Sequence, residues 1–145
     1  MSAPCELGRD EWRMATIVVA DDDSELRKTV RIALEACGYA VSEAADGIEC
    51  ERLIRSVKPD VILLDVFMPN RDGLEVLCTH AQSNDNPAIV CMSGGGRLGR
   101  FDAGEVARKL GARHYLSKPF RMVDLQQLLA EILENPGQEP ARTLV

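Results

Sequence analysis

Short runs of aliphatic residues alternate along this chain with longer amphipathic stretches. The runs at residues 17–20 and 61–64 are uninterrupted and consist of Ile, Val, Leu and Ala, a composition typical of strands buried on both faces of a sheet. Three less regular runs occupy residues 39–44, 88–92 and 113–117. Strands that alternate with helices form β-α-β units, which assemble into a parallel sheet covered by helices on both faces. The pattern therefore predicts an α/β domain of five strand-helix pairs.

The amphipathic stretch after each run is a predicted helix. Asp23 or Ser24 is suited to cap the first helix at its N-terminus, and Gly38 marks its C-terminal end. In the second helix, the apolar positions are Ile48, Leu53 and Ile54. The second to fifth helices are predicted at residues 47–56, after Gly73, at 102–110 and at 121–134.

The size and charge of the chain limit what it can do. Its 145 residues, 46% of them hydrophobic, are enough for one buried core but not for a second domain. We expect a flexible N-terminal extension over residues 1–13, the domain over 14–134 and a flexible C-terminal tail over 135–145. Because the formal net charge is -6, no basic excess is present to bind nucleic acid directly.

The cysteines and the hydrophobic segments predict a cytoplasmic protein. The sequence contains five cysteines, Cys5, Cys37, Cys50, Cys78 and Cys91. None of them forms a C-x-x-C pair, so neither a disulfide framework nor a zinc site is predicted, and a reducing compartment fits best. No apolar stretch approaches the roughly 18 residues of a membrane span, so no association with a membrane is expected.

Polar residues follow four of the predicted strands at their carboxyl ends. Asp21 and Asp22 follow the first strand, Asp65 the third, Ser93 the fourth and Lys118 the fifth. Ligands of open parallel sheets bind at this edge, so we predict that these side chains converge. Clustered carboxylates repel one another, and oxygen ligands without a nearby histidine or cysteine suit Mg²⁺. A carboxylate beside such an ion can attack an activated phosphoryl group, with Lys118 and Ser93 holding its other oxygens.

Each of these residues alone also has a structural interpretation. The acidic residues 21–23 are suited to cap the following helix, and Ser93 is of a type common in loops. Asp65 is harder to explain in this way, because a charge directly after four aliphatic residues gains little from the surface. It is the joint placement at four strand ends that favours a site.

At these positions the sequence resembles the receiver domain of bacterial two-component response regulators, over about residues 15–133. The resemblance is carried by Asp21 and Asp22, Asp65, Met68-Pro69, Asp72-Gly73, Ser93, Tyr115 and Lys118-Pro119-Phe120. It implies a flavodoxin-like (βα)5 three-layer sandwich around a parallel five-stranded sheet of order 2-1-3-4-5. It also implies that the Lys118–Pro119 peptide bond is cis.

The resemblance assigns roles to the residues at the strand ends. Asp65 is the implied phospho-acceptor, assisted by Lys118 and Ser93. The implied cofactor is Mg²⁺, and its ligands are Asp22, Asp65, the backbone carbonyl of Phe67 and, through water, Asp21. The implied phosphoryl donor is a histidine kinase or a histidine phosphotransfer protein.

The resemblance also implies a conformational switch. On phosphorylation Ser93 moves toward the phosphoryl group, and Tyr115 rotates inward into the space that is vacated. This movement repacks the face built from the fourth helix, the fifth strand and the fifth helix, where a downstream protein binds. Either a monomer or a phosphorylation-dependent dimer is compatible with this scheme.

The loop after Ser93 departs from the usual receiver pattern. Gly94, Gly96 and Gly99 satisfy G-x-G-x-x-G between a strand and a helix, but no acidic residue ends the next strand to bind a ribose. Backbone freedom beside Ser93 therefore explains the glycines better than nucleotide binding does.

Several functions remain compatible with these residues. The leading hypothesis is a stand-alone response regulator that resembles the single-domain chemotaxis regulators and is not an enzyme beyond promoting its own phosphorylation and slow dephosphorylation. A receiver within a longer regulator is the alternative. An aspartate-nucleophile phosphohydrolase is disfavoured because Phe67 stands where some phosphatases place a second aspartate, and a degenerate receiver because no site residue is missing.

Two residues predict a long-lived phosphorylated state. Phe67 and Gly95 occupy positions where many receivers place polar side chains that orient the hydrolytic water. Phe67 is expected to shield the acyl phosphate, and Gly95 offers no side-chain hydrogen bond.

We predict that Phe67→Asn shortens the life of the phosphorylated state, because an amide side chain can orient the attacking water. The measurement is the decay of radiolabelled phosphate from the protein after the donor is removed, with the wild type as reference. An unchanged rate of decay would contradict this role of Phe67.

Overall fold

The computed structural model describes residues 14–66, 68, 73–80, 87–93, 97–98, 101–134 and 143–144. The helices are α1 (Ser24–Ala36), α2 (Gly47–Val57), α3 (Gly73–His80), α4 (Ala103–Lys109) and α5 (Met122–Glu134). The strands are β1 (Thr16–Ala20), β2 (Ala40–Ala44), β3 (Val61–Asp65), β4 (Ala88–Ser93), β5 (Arg97–Leu98), β6 (Phe101–Asp102), β7 (His114–Ser117) and β8 (Thr143–Leu144). The predicted N-terminal extension and most of the predicted tail lie outside the described residues.

The main sheet is parallel and has the strand order β2-β1-β3-β4-β7-β8. Its first five members confirm the predicted order 2-1-3-4-5, with β7 as the fifth strand. The sixth, β8, lies within the segment predicted as a tail, and it pairs Thr143 with Tyr115 and Leu144 with Leu116. The sheet therefore extends one strand beyond the prediction.

Two hydrophobic cores lie on opposite faces of this sheet. Because side chains alternate along a strand, Ile62 and Leu64 of β3 pack toward α2, α3 and α4, whereas Val61 and Leu63 pack toward α1 and α5. All five residues of β3 are buried, as its uninterrupted aliphatic run predicts. The result is the predicted three-layer arrangement. No helix in the described part of the chain is both long and apolar enough to cross a membrane.

The first helix begins and ends where the sequence predicts. The Asp23 carboxylate accepts hydrogen bonds from the backbone N–H groups of Glu25 at 3.1 Å and Leu26 at 3.2 Å, and thereby satisfies two donors of the first turn. Gly38 follows α1 with a φ of 98°, a conformation that favours glycine. The helix-capping interpretation therefore applies to Asp23.

Of the three apolar positions of the second helix, Ile48 does not face the core. Ile48 is 53% exposed, and the buried residues of α2 are Gly47, Cys50 and Ile54. These three recur at the spacing i, i+3, i+7, which defines one helix face. Ile48 is one residue, or about 100° of rotation, away from that face, so it points to solvent despite its apolar side chain.

A short hairpin in the segment after β4 was not predicted. The strands β5 and β6 pair antiparallel, Arg97 with Asp102 and Leu98 with Phe101, directly before α4. Strands of only two residues carry no alternation that a sequence pattern could reveal.

Burial of His114 predicts a loss of stability in mild acid. Burial lowers the pKa of His114 from its ordinary value of 6.5, and the charge of Arg113 lowers it further, although Glu131 acts in the opposite direction. Nδ1 of His114 is buried without a hydrogen-bond partner among the described residues. The folded state therefore favours the neutral ring, and as the pH falls below 6.5 the unfolded chain binds a proton that the folded chain does not.

Histidine titrates between about pH 7.5 and 5.5. As the pH falls through this range, we expect the free energy of unfolding to decrease more for the wild type than for His114→Leu. Urea denaturation at several pH values measures both, and His80, present in both proteins, cancels in the comparison. Equal pH dependence in the two proteins would refute this contribution of His114.

Candidate functional site

The polar residues predicted at the strand ends converge at the carboxyl edge of the sheet. Asp21 directly follows β1, Asp65 is the last residue of β3, Ser93 is the last residue of β4 and Lys118 directly follows β7. The parallel register aligns these ends, since Asp65 pairs with Met92 and Ser93 with Ser117. Because Ser93 belongs to β4, its interpretation as a loop serine does not hold.

Three carboxylates form the centre of this cluster. One oxygen each of Asp21, Asp22 and Asp65 lies within 4.8 Å of the others. Asp21 is fully buried, Asp65 is 5% exposed and Asp22 is exposed. One oxygen of Asp21 accepts a hydrogen bond from the backbone N–H of Asp23 at 3.0 Å, which fixes the orientation of that carboxylate.

Lys118 joins two of the three carboxylates. Its Nζ donates to Oδ2 of Asp21 at 2.7 Å and to Oδ2 of Asp65 at 3.3 Å. Burial alone would lower the pKa of Lys118, but the hydrogen bond to Asp21 and the charge of Asp65 outweigh it, so the pKa is raised and the ammonium stays charged. The Lys118–Pro119 peptide bond is cis, as the resemblance implies.

The cluster fits a hard divalent cation. Lys118 offsets one of the three negative charges of Asp21, Asp22 and Asp65, so an excess of two negative charges remains. All the donors are carboxylate oxygens, which Mg²⁺ prefers. Asp22 is exposed, and this side of the cluster leaves room for the waters that Mg²⁺ usually keeps. The predicted fourth ligand, the carbonyl of Phe67, lies outside the described residues.

The Ser93 hydroxyl is a buried polar group beside this cluster. Ser93 is fully buried, and its Oγ has no hydrogen-bond partner among the described residues. A buried hydroxyl without a partner costs free energy, on the order of 1–3 kcal/mol. A ligand oxygen at the end of β4 would recover this cost, so Ser93 is suited to bind one.

Gly73, a residue of the predicted pattern, packs against the backbone at the end of β3. A Cβ at Gly73 would lie 2.7 Å from Cα of Val66 and would also collide with the carbonyl oxygen of Asp65. Only glycine therefore allows the start of α3 to pack against the backbone that ends β3. The start of α3 thus lies in direct contact with the backbone of Asp65 and Val66.

Sequence reasoning missed a contact of Tyr115 with α4. Tyr115 is 6% exposed, and a Cβ at Gly104 would lie 3.0 to 3.2 Å from three atoms of its ring. The ring thus packs directly against the helix backbone at Gly104. The available signal was the glycine itself, because glycine inside a helix is unfavourable and usually has a packing reason.

Sequence reasoning also missed the contact of Arg27 with the acidic cluster. Arg27 lies on α1, and its Nη1 donates a hydrogen bond to the backbone carbonyl of Asp21 at 2.7 Å. An arginine on an amphipathic helix carries no sequence signal of such a contact, since it is of the type expected on the exposed face.

Residues 17–130 match the family model of the response regulator receiver domain. Among curated relatives, response regulator MprA of Mycobacterium bovis (strain BCG / Pasteur 1173P2) is 36% identical over 125 residues, which is 86% of this chain and 53% of that protein. MprA of Mycobacterium sp. (strain KMS) is 36% identical over 126 residues, 86% of this chain and 54% of that protein. The chain thus spans about half the length of these relatives.

Solved structures of response regulator receivers superimpose on this chain. A CheY-like response regulator receiver domain protein from Methanospirillum hungatei JF-1 superimposes with a TM-score of 0.75 at 25% identity, covering 84% of this chain and 95% of that one. The chemotaxis response regulator CheY4 of Vibrio cholerae superimposes with a TM-score of 0.71 at 28% identity, covering 83% of this chain and 99% of that one.

The contact between Gly104 and Tyr115 generates a stability prediction. Replacing a helical glycine by alanine ordinarily stabilises a protein by roughly 0.5–1 kcal/mol. In the wild-type background we expect Gly104→Ala to lose this gain, because its Cβ presses on the Tyr115 ring. In a Tyr115→Ala background the ring is gone and the gain should appear. Urea denaturation of the four proteins measures the difference, and equal effects of Gly104→Ala in both backgrounds would contradict the contact.

Proposed function

The chain belongs to the response regulator receiver domain family, and from this membership we propose that it accepts a phosphoryl group on Asp65. The position of the Asp65 carboxylate is the observation that carries the proposal. One of its oxygens lies within 4.8 Å of oxygens of Asp21 and Asp22, and Oδ2 lies 3.3 Å from Nζ of Lys118. A nucleophile, candidate metal ligands and a counter-charge therefore meet at one edge of the sheet.

In the proposed reaction, a carboxylate oxygen of Asp65 forms a bond to the phosphorus of a phosphohistidine. The bond between phosphorus and the imidazole nitrogen of the donor breaks, its electron pair passes to the imidazole, and Asp65 becomes an acyl phosphate. Lys118, held charged by the buried carboxylates, attracts a phosphoryl oxygen. Ser93, whose hydroxyl is otherwise unpartnered in the described part of the chain, donates a hydrogen bond to another.

The hydrogen bonds and burial of Asp21 suit it to a supporting role rather than to that of the acceptor. Both carboxylate oxygens of Asp21 already accept hydrogen bonds, one from the Asp23 N–H and one from Lys118, and the side chain is fully buried. Asp21 is therefore better suited to a fixed supporting role.

The proposed metal site consists of Asp21, Asp22 and Asp65 together with the Phe67 carbonyl. Receiver domains generally use Mg²⁺ at this acidic pocket, and when bound the ion supplies positive charge to the phosphoryl oxygens. Without the Mg²⁺ ion, the excess negative charge of the cluster would repel an incoming phosphoryl group.

We propose that phosphorylation is transmitted through Ser93 and Tyr115 to the face formed by α4, β7 and α5. Both residues lie on adjacent strands, β4 and β7, and the Tyr115 ring packs on α4 at Gly104. A shift of Tyr115 would therefore change the position of α4 relative to β7. This face is the proposed binding site for a downstream protein, and dimerisation after phosphorylation is compatible with it.

We propose a histidine kinase or histidine phosphotransfer protein as the donor, a cytoplasmic location, and no enzymatic activity on separate substrates. The described cysteines are free thiols, which supports a reducing compartment. A stand-alone receiver is the first candidate for the biological role. A receiver portion of a longer regulator is the second, favoured by the MprA proteins, which are about twice the length of the matched region.

Incubation with acetyl phosphate and Mg²⁺, followed by intact mass spectrometry, tests the acceptor. We expect one phosphoryl adduct on the wild type, none on Asp65→Ala, and loss of the adduct when a chelator removes Mg²⁺. Asp124→Ala is the matched control: Asp124, in the first turn of α5, pairs with Arg121 directly before that helix, so this variant should leave the adduct intact. An adduct on Asp65→Ala, or none on the wild type, would overturn the proposal.

A further inference from the structure

Arg27 connects α1 both to the acidic cluster and to β2. Its Nη1 donates to the carbonyl oxygen of Asp21 at 2.7 Å, and its Nε donates to Oε1 of Glu43 at 3.0 Å. The side chain is only 15% exposed, although it lies on a helix whose polar face is turned to solvent. The guanidinium can hold two acceptors at once because its donors form a rigid planar fork.

The bond from Arg27 fixes the peptide group that leads from Asp21 to Asp22. The carbonyl of Asp21 and the N–H of Asp22 belong to one planar unit, so holding the oxygen sets the direction in which the chain continues. The other groups of Asp21 are already held, its N–H by the carbonyl of Ala44 at 3.1 Å and its carboxylate by Asp23 and Lys118.

Asp22 depends most on this fixed peptide. Its side chain is exposed, and within the described ranges its carboxylate accepts no hydrogen bond that would orient it. Even so, one of its oxygens lies within 4.8 Å of Asp21 and Asp65. The backbone conformation at residues 21–22 is therefore what brings this carboxylate to the cluster.

The charge of Arg27 does not explain its place near a cation site. An additional positive charge disfavours binding of Mg²⁺. Glu43 offsets this charge, and its second oxygen lies 2.8 Å from Nε of Arg31. Arg31 thus shares the same carboxylate, but the side chain that bonds the Asp21 carbonyl is that of Arg27. Arg31 therefore provides a natural comparison within α1.

We infer that Arg27 is a positioning residue for the metal site, which orients Asp22 toward Asp65 by holding the Asp21 carbonyl. The inference rests on the proposed function, because it assumes that the acidic cluster binds Mg²⁺. It goes beyond that function by making the affinity for the cation depend on a side chain that is not a ligand.

Calorimetric titration with MgCl₂, without a phosphoryl donor, tests the inference on the full chain. We expect Arg27→Gln to weaken Mg²⁺ binding about 10-fold, the range seen when a residue that orients a metal ligand is removed. Arg27→Lys should also weaken it, because one ammonium cannot reproduce the two-acceptor fork. Arg31→Gln removes the same charge from the same ion-pair network and should bind as the wild type does.

The direction in which the Mg²⁺ affinity changes distinguishes a positioning role of Arg27 from a purely electrostatic one. If only charge mattered, Arg27→Gln would bind Mg²⁺ more tightly and Arg27→Lys would match the wild type, and either result overturns the inference. Equal weakening by Arg31→Gln overturns it as well. Cooperative urea denaturation checks that each variant is folded, and if Arg27→Gln is not, Arg27→Lys decides the question. Wild-type protein that binds no Mg²⁺ overturns the proposed metal site too, whereas wild-type binding with unchanged Arg27 variants overturns only the role of Arg27.

Discussion

The carboxyl edge of the sheet depends on the ammonium of Lys118. The Asp21 carboxylate is completely buried, and a buried charge without a partner costs several kcal/mol. Lys118 offsets this cost and at the same time contacts Asp65. The backbone N–H of Lys118 donates to the carbonyl of Ser93 at 2.8 Å. The pairing of β4 with β7 therefore sets the position of the Lys118 backbone, from which the side chain extends. One side chain thereby links the ends of β1 and β3 to the ends of β4 and β7.

The fold could be predicted where burial on both faces left a simple pattern. The run 61–64 is aliphatic throughout because β3 lies in the centre of the sheet, and every one of its residues is buried. Ile48 shows where this logic fails, because an isolated apolar residue in the first turn of a helix does not define which face is buried. The strands β5 and β8 were missed for a different reason: two paired residues gain their stability from backbone hydrogen bonds, which any side chain permits.

The candidate site could be predicted to the extent that residue type and strand position determine it. Asp21, Asp65 and Lys118 are charged residues directly at or after buried strands, and parallel topology leaves such residues at one edge. The contacts of Arg27 and Gly104 could not be found in this way. Arg27 meets Glu43 across 16 positions of sequence, and Gly104 is defined by a ring that approaches from another element. Both are properties of packing between elements, which local patterns do not contain.

Glu43 lies on β2, the strand at the edge of the sheet opposite β8. In the sequence, Ser42 and Glu43 interrupt the apolar run of this strand, an apparent weakness. At an edge, however, unpaired backbone groups invite the strand of another molecule to add to the sheet, and charged residues discourage this. At the other edge, β8 covers part of β7. On β2, Glu43 is ion-paired with Arg27 and Arg31 of α1, and a charged residue at this edge disfavours the addition of a strand from another molecule.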